Sequence, residues 1–221
     1  MRRLGLTALF LAAVALAIPL IAGAQKPPKP GPTDLTISAK PAAITFGQSS
    51  TISGQLKTQD KANKPVDLQE KPAGEKALKT VQTKNTEQSG AYSFSVKPVK
   101  NTRYRVVAKV SPPITSGEVE VPVRFRVGLR LSDYTPAAGQ RVRFSGSVLP
   151  EHDGRVVYIQ KRTSSGGWRG IARTTLRDAG TTRSVYSRRI RISRDGTFRA
   201  RVVRDADHAT GTSRTRTANV H

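Results

Sequence analysis

The sequence predicts an all-β protein with two consecutive seven-stranded β-sandwich domains, and three observations lead to this prediction. After residue 33, short runs rich in Val, Ile, Thr and aromatic residues alternate apolar with polar positions, which is the pattern of half-buried strands. Gly, Pro, Asn and Asp separate these runs at regular intervals, as in the turns of small sandwiches. The second half of the 221-residue chain also repeats motifs of the first half.

The repeat has a period of 92 residues, which is the distance from Gly47 to Gly139 and from Gly54 to Gly146. A Pro-Ala-Ala motif, a Gly-Gln pair and a Ser-Gly pair occur in this order in both copies, at 41–43, 47–48 and 53–54 and again at 136–138, 139–140 and 145–146. Residues 66–71 return as 157–162, and residues 103–107 return within 197–203. Two copies of one domain are the simplest explanation.

Seven strands are predicted in each copy from the period-two alternation. In the first copy they cover residues 35–39, 49–56, 66–71, 78–83, 91–97, 103–110 and 118–127. In the second copy they cover residues 128–133, 140–149, 155–162, 168–175, 184–192, 197–204 and 212–220. The alternation continues from 118 to 131 without a linker, so we expect a stiff connection with Gly128 as its only flexible point.

Several of these motifs resemble a known family. The repeated Pro-Ala-Ala, Gly-Gln and Ser-Gly motifs, the Gly90–Phe94 strand, Trp168 and the pairs Tyr104-Arg105 and Phe198-Arg199 are similar to bacterial immunoglobulin-like and fibronectin type III-like repeats of secreted and surface proteins, notably the high-GC Gram-positive type. The resemblance implies immunoglobulin-like sandwiches over residues 34–126 and 127–221. It implies little about function, because such sandwiches have many unrelated roles.

The N-terminal residues predict export. Arg2 and Arg3 precede an apolar stretch, and Ala22-Gly23-Ala24 forms a small-residue cleavage motif, so residues 1–24 are interpreted as a signal peptide. Residues 25–33 are rich in proline and are expected to form an extended stalk. The protein is therefore expected to be secreted or extracellular, with association with the cell envelope left open. An uncleaved membrane anchor is the alternative, because the apolar stretch approaches the ~20 residues that span a bilayer.

The charge balance predicts anionic partners. The chain carries 38 Lys and Arg against 15 Asp and Glu, for a net charge of +23. The first domain has a net charge of +7, whereas the second has 18 Arg and 1 Lys against 7 acidic residues, for a net charge of +12. A surface this basic attracts polyanions.

Strand alternation places the candidate anion-binding residues on two outer faces of the second domain. One face is expected to carry Tyr158, Arg162, Arg199 and Arg201, with Arg214 and Arg216 of the last strand alongside. The opposite sheet is expected to carry Arg130, Arg141, Arg143, Arg189 and Arg191. Guanidinium groups in rows suit phosphate and carboxylate groups. The alternative is that they are solvated strand faces which protect sheet edges against aggregation.

Enzyme chemistry is not predicted. The sequence has no cysteine, and its histidines are His152, His208 and His221, without a nucleophile motif nearby. Residues 151–153 and 205–208 contain acidic residues and histidine, but both segments are interpreted as turns, so no metal site and no cofactor are expected. Trp168 is interpreted as a cover for the end of the core, with an exposed binding platform as the alternative.

The leading hypothesis is a non-catalytic secreted or envelope-associated binding or spacer module, whose arginine-rich strand faces associate with an anionic envelope polymer or an acidic protein. Two alternatives remain open at this point. The chain could be a structural or adhesive module that contacts a protein through an edge strand. It could also be a secreted nucleic-acid-binding protein, although an aromatic content of 5% disfavours the base stacking that single-strand binding uses.

Overall fold

The computed structural model describes residues 34–180 and 182–221, and all regular secondary structure in these residues is β-strand. The predicted signal peptide (1–24) and stalk (25–33) lie outside the described residues. Within the described part of the chain, no helix has the length and apolarity needed to cross a membrane.

The first sandwich contains strands β1 to β10. They are β1 (Ser38–Lys40), β2 (Ile44–Thr45), β3 (Ser50–Gln55), β4 (Pro65–Pro72), β5 (Lys79–Asn85), β6 (Ala91–Val96), β7 (Thr102–Ala108), β8 (Ile114–Thr115), β9 (Val119–Val121) and β10 (Val123–Arg124). One sheet has the order β1-β3-β6, and the other has the order β5-β4-β7-β8 with β9 also pairing with β7. β2 and β10 form a parallel pair.

The second sandwich contains strands β11 to β20. They are β11 (Arg126–Val127), β12 (Arg130–Leu131), β13 (Gln140–Leu149), β14 (Val156–Arg162), β15 (Trp168–Thr175), β16 (Arg177–Asp178), β17 (Ser184–Ile192), β18 (Gly196–Val202), β19 (Gly211–Thr212) and β20 (Arg216–Ala218). One sheet has the order β11-β13-β17-β16 with β12 on β13, and the other has the order β15-β14-β18-β19 with β20 on β18.

Each sandwich has its own hydrophobic core, formed by alternate residues of the facing sheets. The first core includes Ile52, Leu68, Phe94, Tyr104 and Val106, all fully buried. The second core includes Phe144, Ile159, Phe198, Ala200 and Val202. The all-β tandem immunoglobulin-like fold predicted from the sequence is therefore confirmed.

The strand boundaries differ from the prediction mainly at the sheet edges. The long strands β13, β15 and β17 cover the predicted residues, whereas the sequence prediction did not include the short strands β2, β8 and β16. The predicted strand at 118–127 is divided into β9, β10 and β11, which pair with three different strands. Short edge strands lack the long alternation by which the sequence pattern is recognised.

Gly128 is a packed position, so the prediction that it is a flexible point is wrong. Its N–H donates to the carbonyl of Ser147 at 2.8 Å, and its own carbonyl accepts the hydroxyl of Tyr186 at 2.6 Å. Gly146 packs directly against the Gly128 carbonyl, so a side chain at position 146 would collide with that carbonyl. The first sandwich repeats this arrangement with Gly54, Thr36 and Tyr92.

The shared arrangement explains why the Ser-Gly motif occurs in both copies. A glycine lets the N-terminal segment of each sandwich approach so closely that its backbone carbonyl accepts a hydrogen bond from the tyrosine hydroxyl. Burial raises the pKa of both Tyr92 and Tyr186, so both hydroxyls stay protonated as hydrogen-bond donors.

We expect Gly146→Ala to lower the free energy of unfolding of the second sandwich by about 2 kcal/mol or more, because overpacking forces the backbone apart. The fluorescence of Trp168, the sole tryptophan, measured during chemical denaturation, monitors this sandwich. The matched control is Gly170→Ala, where a new Cβ meets nothing within 4 Å and stability should stay level or rise by up to about 1 kcal/mol. Equal stability of the two variants would contradict the close approach.

Candidate functional site

The outer face of β12, β13 and β17 carries five exposed arginines, which we call the arginine face: Arg130, Arg141, Arg143, Arg189 and Arg191. Strand register places Arg141 opposite Arg191, and Arg143 opposite Arg189. The alternating residues Val142 and Phe144 are fully buried in the core. The sequence analysis placed these five residues on one face, and the register brings them together.

The arginines of the second sandwich have few carboxylate partners. Of the 18 arginines in 127–221, only Arg155 has a side-chain nitrogen within 4.0 Å of a carboxylate oxygen in the described residues. Like charges directly opposite each other on neighbouring strands destabilise a sheet. The arginine face therefore carries an electrostatic cost that bound anions would remove.

The other sheet carries the second predicted face, where the guanidinium of Arg199 already contacts neighbouring side chains. Tyr158 lies opposite Arg201, and Gln160 lies opposite Arg199. The Nε of Arg199 donates to Gln160 at 2.8 Å, and its guanidinium carbon lies 4.1 Å from the centre of the Trp168 ring. Burial, and then the charge of Arg201, lower the pKa of Arg199. Arg162 is exposed at the end of the same strand as Tyr158.

Trp168 does not cover the end of the core. A β-bulge opposite Ile159 and Gln160 places an additional residue in β15, so that Ile171 packs on the core while Trp168 lies on the outer side under Arg199. The preferred sequence interpretation of Trp168 is therefore wrong. Alternation cannot anticipate the change of face that a bulge introduces.

Arg214 and Arg216 do not both extend the face of Arg199 and Arg201. Arg214 is exposed, but Arg216 lies opposite the buried Phe198 and is half-buried at the sheet edge. Its Nε donates to the carbonyl of Leu129 at 3.1 Å and its Nη1 to that of Thr215 at 3.2 Å. The break between β19 and β20 changes which side of the strand faces the core. Both residues line a groove at the junction of the sandwiches.

The structure also brings together two segments that the sequence analysis interpreted as separate turns. His152, Asp205 and His208 form a cluster around the side chain of Phe125, whose ring centre lies 4.8 Å from that of His152 and 4.9 Å from that of His208. His208 is only 2% exposed. Nothing in the local sequence pattern predicts this meeting, because it depends on a contact between loops 53 positions apart in the chain.

The carboxylate of Asp205 organises the cluster. Its Oδ1 accepts the backbone N–H groups of Asp207 at 2.9 Å and His208 at 2.6 Å. Its Oδ2 lies 3.1 Å from Nε2 of His152 and 3.3 Å from Nη1 of Arg155. Both carboxylate oxygens therefore have two partners each within the protein.

The composition of the cluster is that of a small metal site, since one ligand atom from each of His152, Asp205 and His208 lies within 4.8 Å of the other two. The observed contacts, however, hold the loop that joins the two sandwiches. Arg155 already supplies a positive charge to the carboxylate, and a cation there would have to compete with it.

The loop that carries the cluster binds the first sandwich. Nε2 of His208 lies 2.9 Å from the carbonyl of Val99, and Nζ of Lys100 lies 2.8 Å from Asp207. The N–H of Ala209 donates to the carbonyl of Val123 at 2.8 Å. The hydrogen bond from Lys100 is the main reason that the pKa of Asp207 is lowered. The two sandwiches are thus joined by side-chain and backbone contacts as well as by the chain itself.

His208 makes the stability of this junction dependent on pH. Burial lowers the pKa of His208 below its ordinary value of 6.5, so as the pH falls below about 6.5 the unfolded chain binds a proton that the folded protein does not. We expect the free energy of unfolding to fall over this range, by at most about 1.4 kcal/mol per pH unit from this group.

The measurement is chemical denaturation at a series of pH values for the wild type and for His208→Gln, whose amide can still donate to Val99 but does not titrate. The variant should show a smaller loss of stability between about pH 6.5 and 5. The exposed His221→Gln is the control and should follow the wild type. A wild-type stability that stays constant over this range would contradict the expected role of His208.

No family model matches the chain, and no curated protein matches it. Among solved structures, a tetra-tandem repeat in the extending region of a large adhesion protein aligns with 86% of this chain and 50% of that chain, at 20% identity and a TM-score of 0.39. The D0-D1 domain of intimin aligns with 85% of this chain and 98% of that chain, at 14% identity and a TM-score of 0.31. The chain thus spans about half the length of the adhesion-protein chain that it matches.

Proposed function

We propose that this protein is a non-catalytic secreted or surface-associated module, which associates with an anionic envelope polymer through the arginine face of its second sandwich. The observation that supports the proposal most directly is the pairing of Arg141 with Arg191 and of Arg143 with Arg189 across β13 and β17, without a carboxylate within 4.0 Å in the described residues. The extracellular location follows from the predicted signal peptide.

The geometry of the arginine face suits a polymer with regularly spaced anionic groups. Neighbouring strands lie about 4.8 Å apart, and residues on one face of a strand repeat about every 6.8 Å. Guanidinium groups at these spacings can contact successive phosphates or carboxylates of one chain, and each contact can be bidentate. Neutralising the pairs also removes the repulsion between opposite arginines. Several weak contacts then add up along the polymer.

A non-catalytic role is consistent with how the two histidines of the second sandwich's interior are used. His152 contacts the carboxylate of Asp205, and His208 is buried against Val99. His208 thus joins the two sandwiches, and His152 contacts the loop that makes this junction.

The proposal predicts salt-dependent retention on immobilised polyphosphate, with a strong dependence on the arginine face. Replacing Arg141, Arg143, Arg189 and Arg191 by Gln should reduce the slope of log affinity against log salt by about one unit per lost phosphate contact. The purified protein and the variant would be eluted across a salt series, and then tested on isolated cell envelope.

The control removes the same charge from the first sandwich. Lys40, Lys57, Lys76 and Lys97 are exposed, and none forms an ion pair within the described residues. Their replacement by Gln should leave most of the retention in place. If both variants lost retention equally, net charge rather than the arginine face would be responsible. If neither lost it, retention would not depend on the arginine face and the proposal would be wrong.

A further inference from the structure

The junction of the two sandwiches contains a groove with a volume of about 750 Å³, which we call the junction groove. Four arginines line it, Arg124, Arg126, Arg214 and Arg216, together with Thr45 and Gln48 of the first sandwich. No acidic residue lines the groove. None of the four arginines has a carboxylate oxygen within 4.0 Å in residues 34–180 and 182–221.

One wall of the groove is set by the strand that passes between the sandwiches. Val123, Phe125 and Val127 are buried, so alternation turns Arg124 and Arg126 to the opposite side, about 6.8 Å apart along the strand. The N–H of Phe46 donates to the carbonyl of Arg124 at 2.9 Å. The backbone that carries these arginines is therefore fixed from both sandwiches.

The other wall comes from the last strands of the second sandwich. Gly211 packs so closely on Phe125 that any side chain there would collide with its carbonyl oxygen. This close approach brings Arg214 and Arg216 toward Arg124 and Arg126. The guanidinium of Arg216 donates hydrogen bonds to the carbonyls of Leu129 and Thr215. Its side chain is therefore already ordered in the free protein and loses less conformational entropy when a ligand binds.

We propose that the junction groove binds a compact, multiply charged phosphate group. Guanidinium forks match phosphate oxygens in geometry and charge, and the volume of the groove lies in the range of small-molecule sites. Four uncompensated charges around one cavity repel each other, and a ligand with several negative charges relieves this repulsion. The proposal concerns a different surface from the arginine face and goes beyond polymer association.

The test is calorimetric titration of the purified protein with tripolyphosphate at roughly 0.15 M salt, where exposed charges beyond about 8 Å are largely screened. One ligand should bind per chain. The double variant Arg124→Gln/Arg126→Gln should bind at least about tenfold more weakly, because it removes two bidentate contacts. A second variant, Arg126→Gln/Arg214→Gln, removes one exposed arginine from each wall and should lower the affinity for tripolyphosphate by a similar factor.

The matched control is Lys57→Gln/Lys76→Gln, which loses the same charge from exposed residues that do not line the groove and should change the affinity by less than about threefold. Circular dichroism and Trp168 fluorescence confirm that each variant is folded. An equal loss in the groove and control variants, binding without saturation, or several ligands per chain would overturn the proposal.

Two sources of the phosphate group can be separated by adding long-chain polyphosphate, at a matched concentration of chain ends, to the variant in which Arg141, Arg143, Arg189 and Arg191 are replaced by Gln. This variant is used because the arginine face of the wild type would bind the polymer as well. Equal affinity per chain end would identify a polymer terminus as a ligand, whereas preference for tripolyphosphate would identify a free small molecule. The groove variants should still be retained on immobilised long-chain polyphosphate, because their arginine face is intact. The failure of one proposal is therefore distinguishable from the failure of the other.

Discussion

The burial of Phe125 at the junction is the constraint on which the rest of the molecule depends. Its side chain belongs to the second core, while the flanking residue Val123 belongs to the first. Its N–H donates to the carbonyl of Ala209 at 3.2 Å, and the N–H of Ala209 donates to the carbonyl of Val123. One segment of chain therefore supplies a core residue to each sandwich, and this requirement fixes which of its residues face inward and which face outward.

Two opposite environments follow from this constraint. On the buried side, the aromatic ring of Phe125 contacts His152 and His208 and the guanidinium of Arg155, which lies 6.0 Å from the ring centre. On the exposed side, Arg124 and Arg126 border the junction groove and have no carboxylate oxygen within 4.0 Å in the part of the chain that the structure describes. The acidic residues of the neighbouring loop, Asp205 and Asp207, pair with Arg155 and Lys100 instead. The groove is basic because the nearby carboxylates are committed elsewhere.

The sequence predicts the fold and the arginine face well, because both depend on local alternation. Long strands such as β13 and β17 show a clear period of two, so the outward direction of Arg141 and Arg191 could be inferred. The faces of Trp168 and Arg216 could not be inferred in this way, since a bulge in one case and a break between short strands in the other change the phase. The cluster of His152, Asp205 and His208 depends on tertiary contacts that no local pattern records.

The two sandwiches use the same framework but distribute their charge differently. Both contain the brace between a glutamine and an arginine on neighbouring strands, Gln69 with Arg105 and Gln160 with Arg199. In the first sandwich, other basic residues have acidic partners, as in the pairs of Lys109 with Asp67 and Lys79 with Glu75. In the second, the framework is retained while those pairings are absent from the described arginine face. Since exposed ion pairs contribute little to stability, their loss costs the fold little and leaves the guanidinium groups available to an external anion.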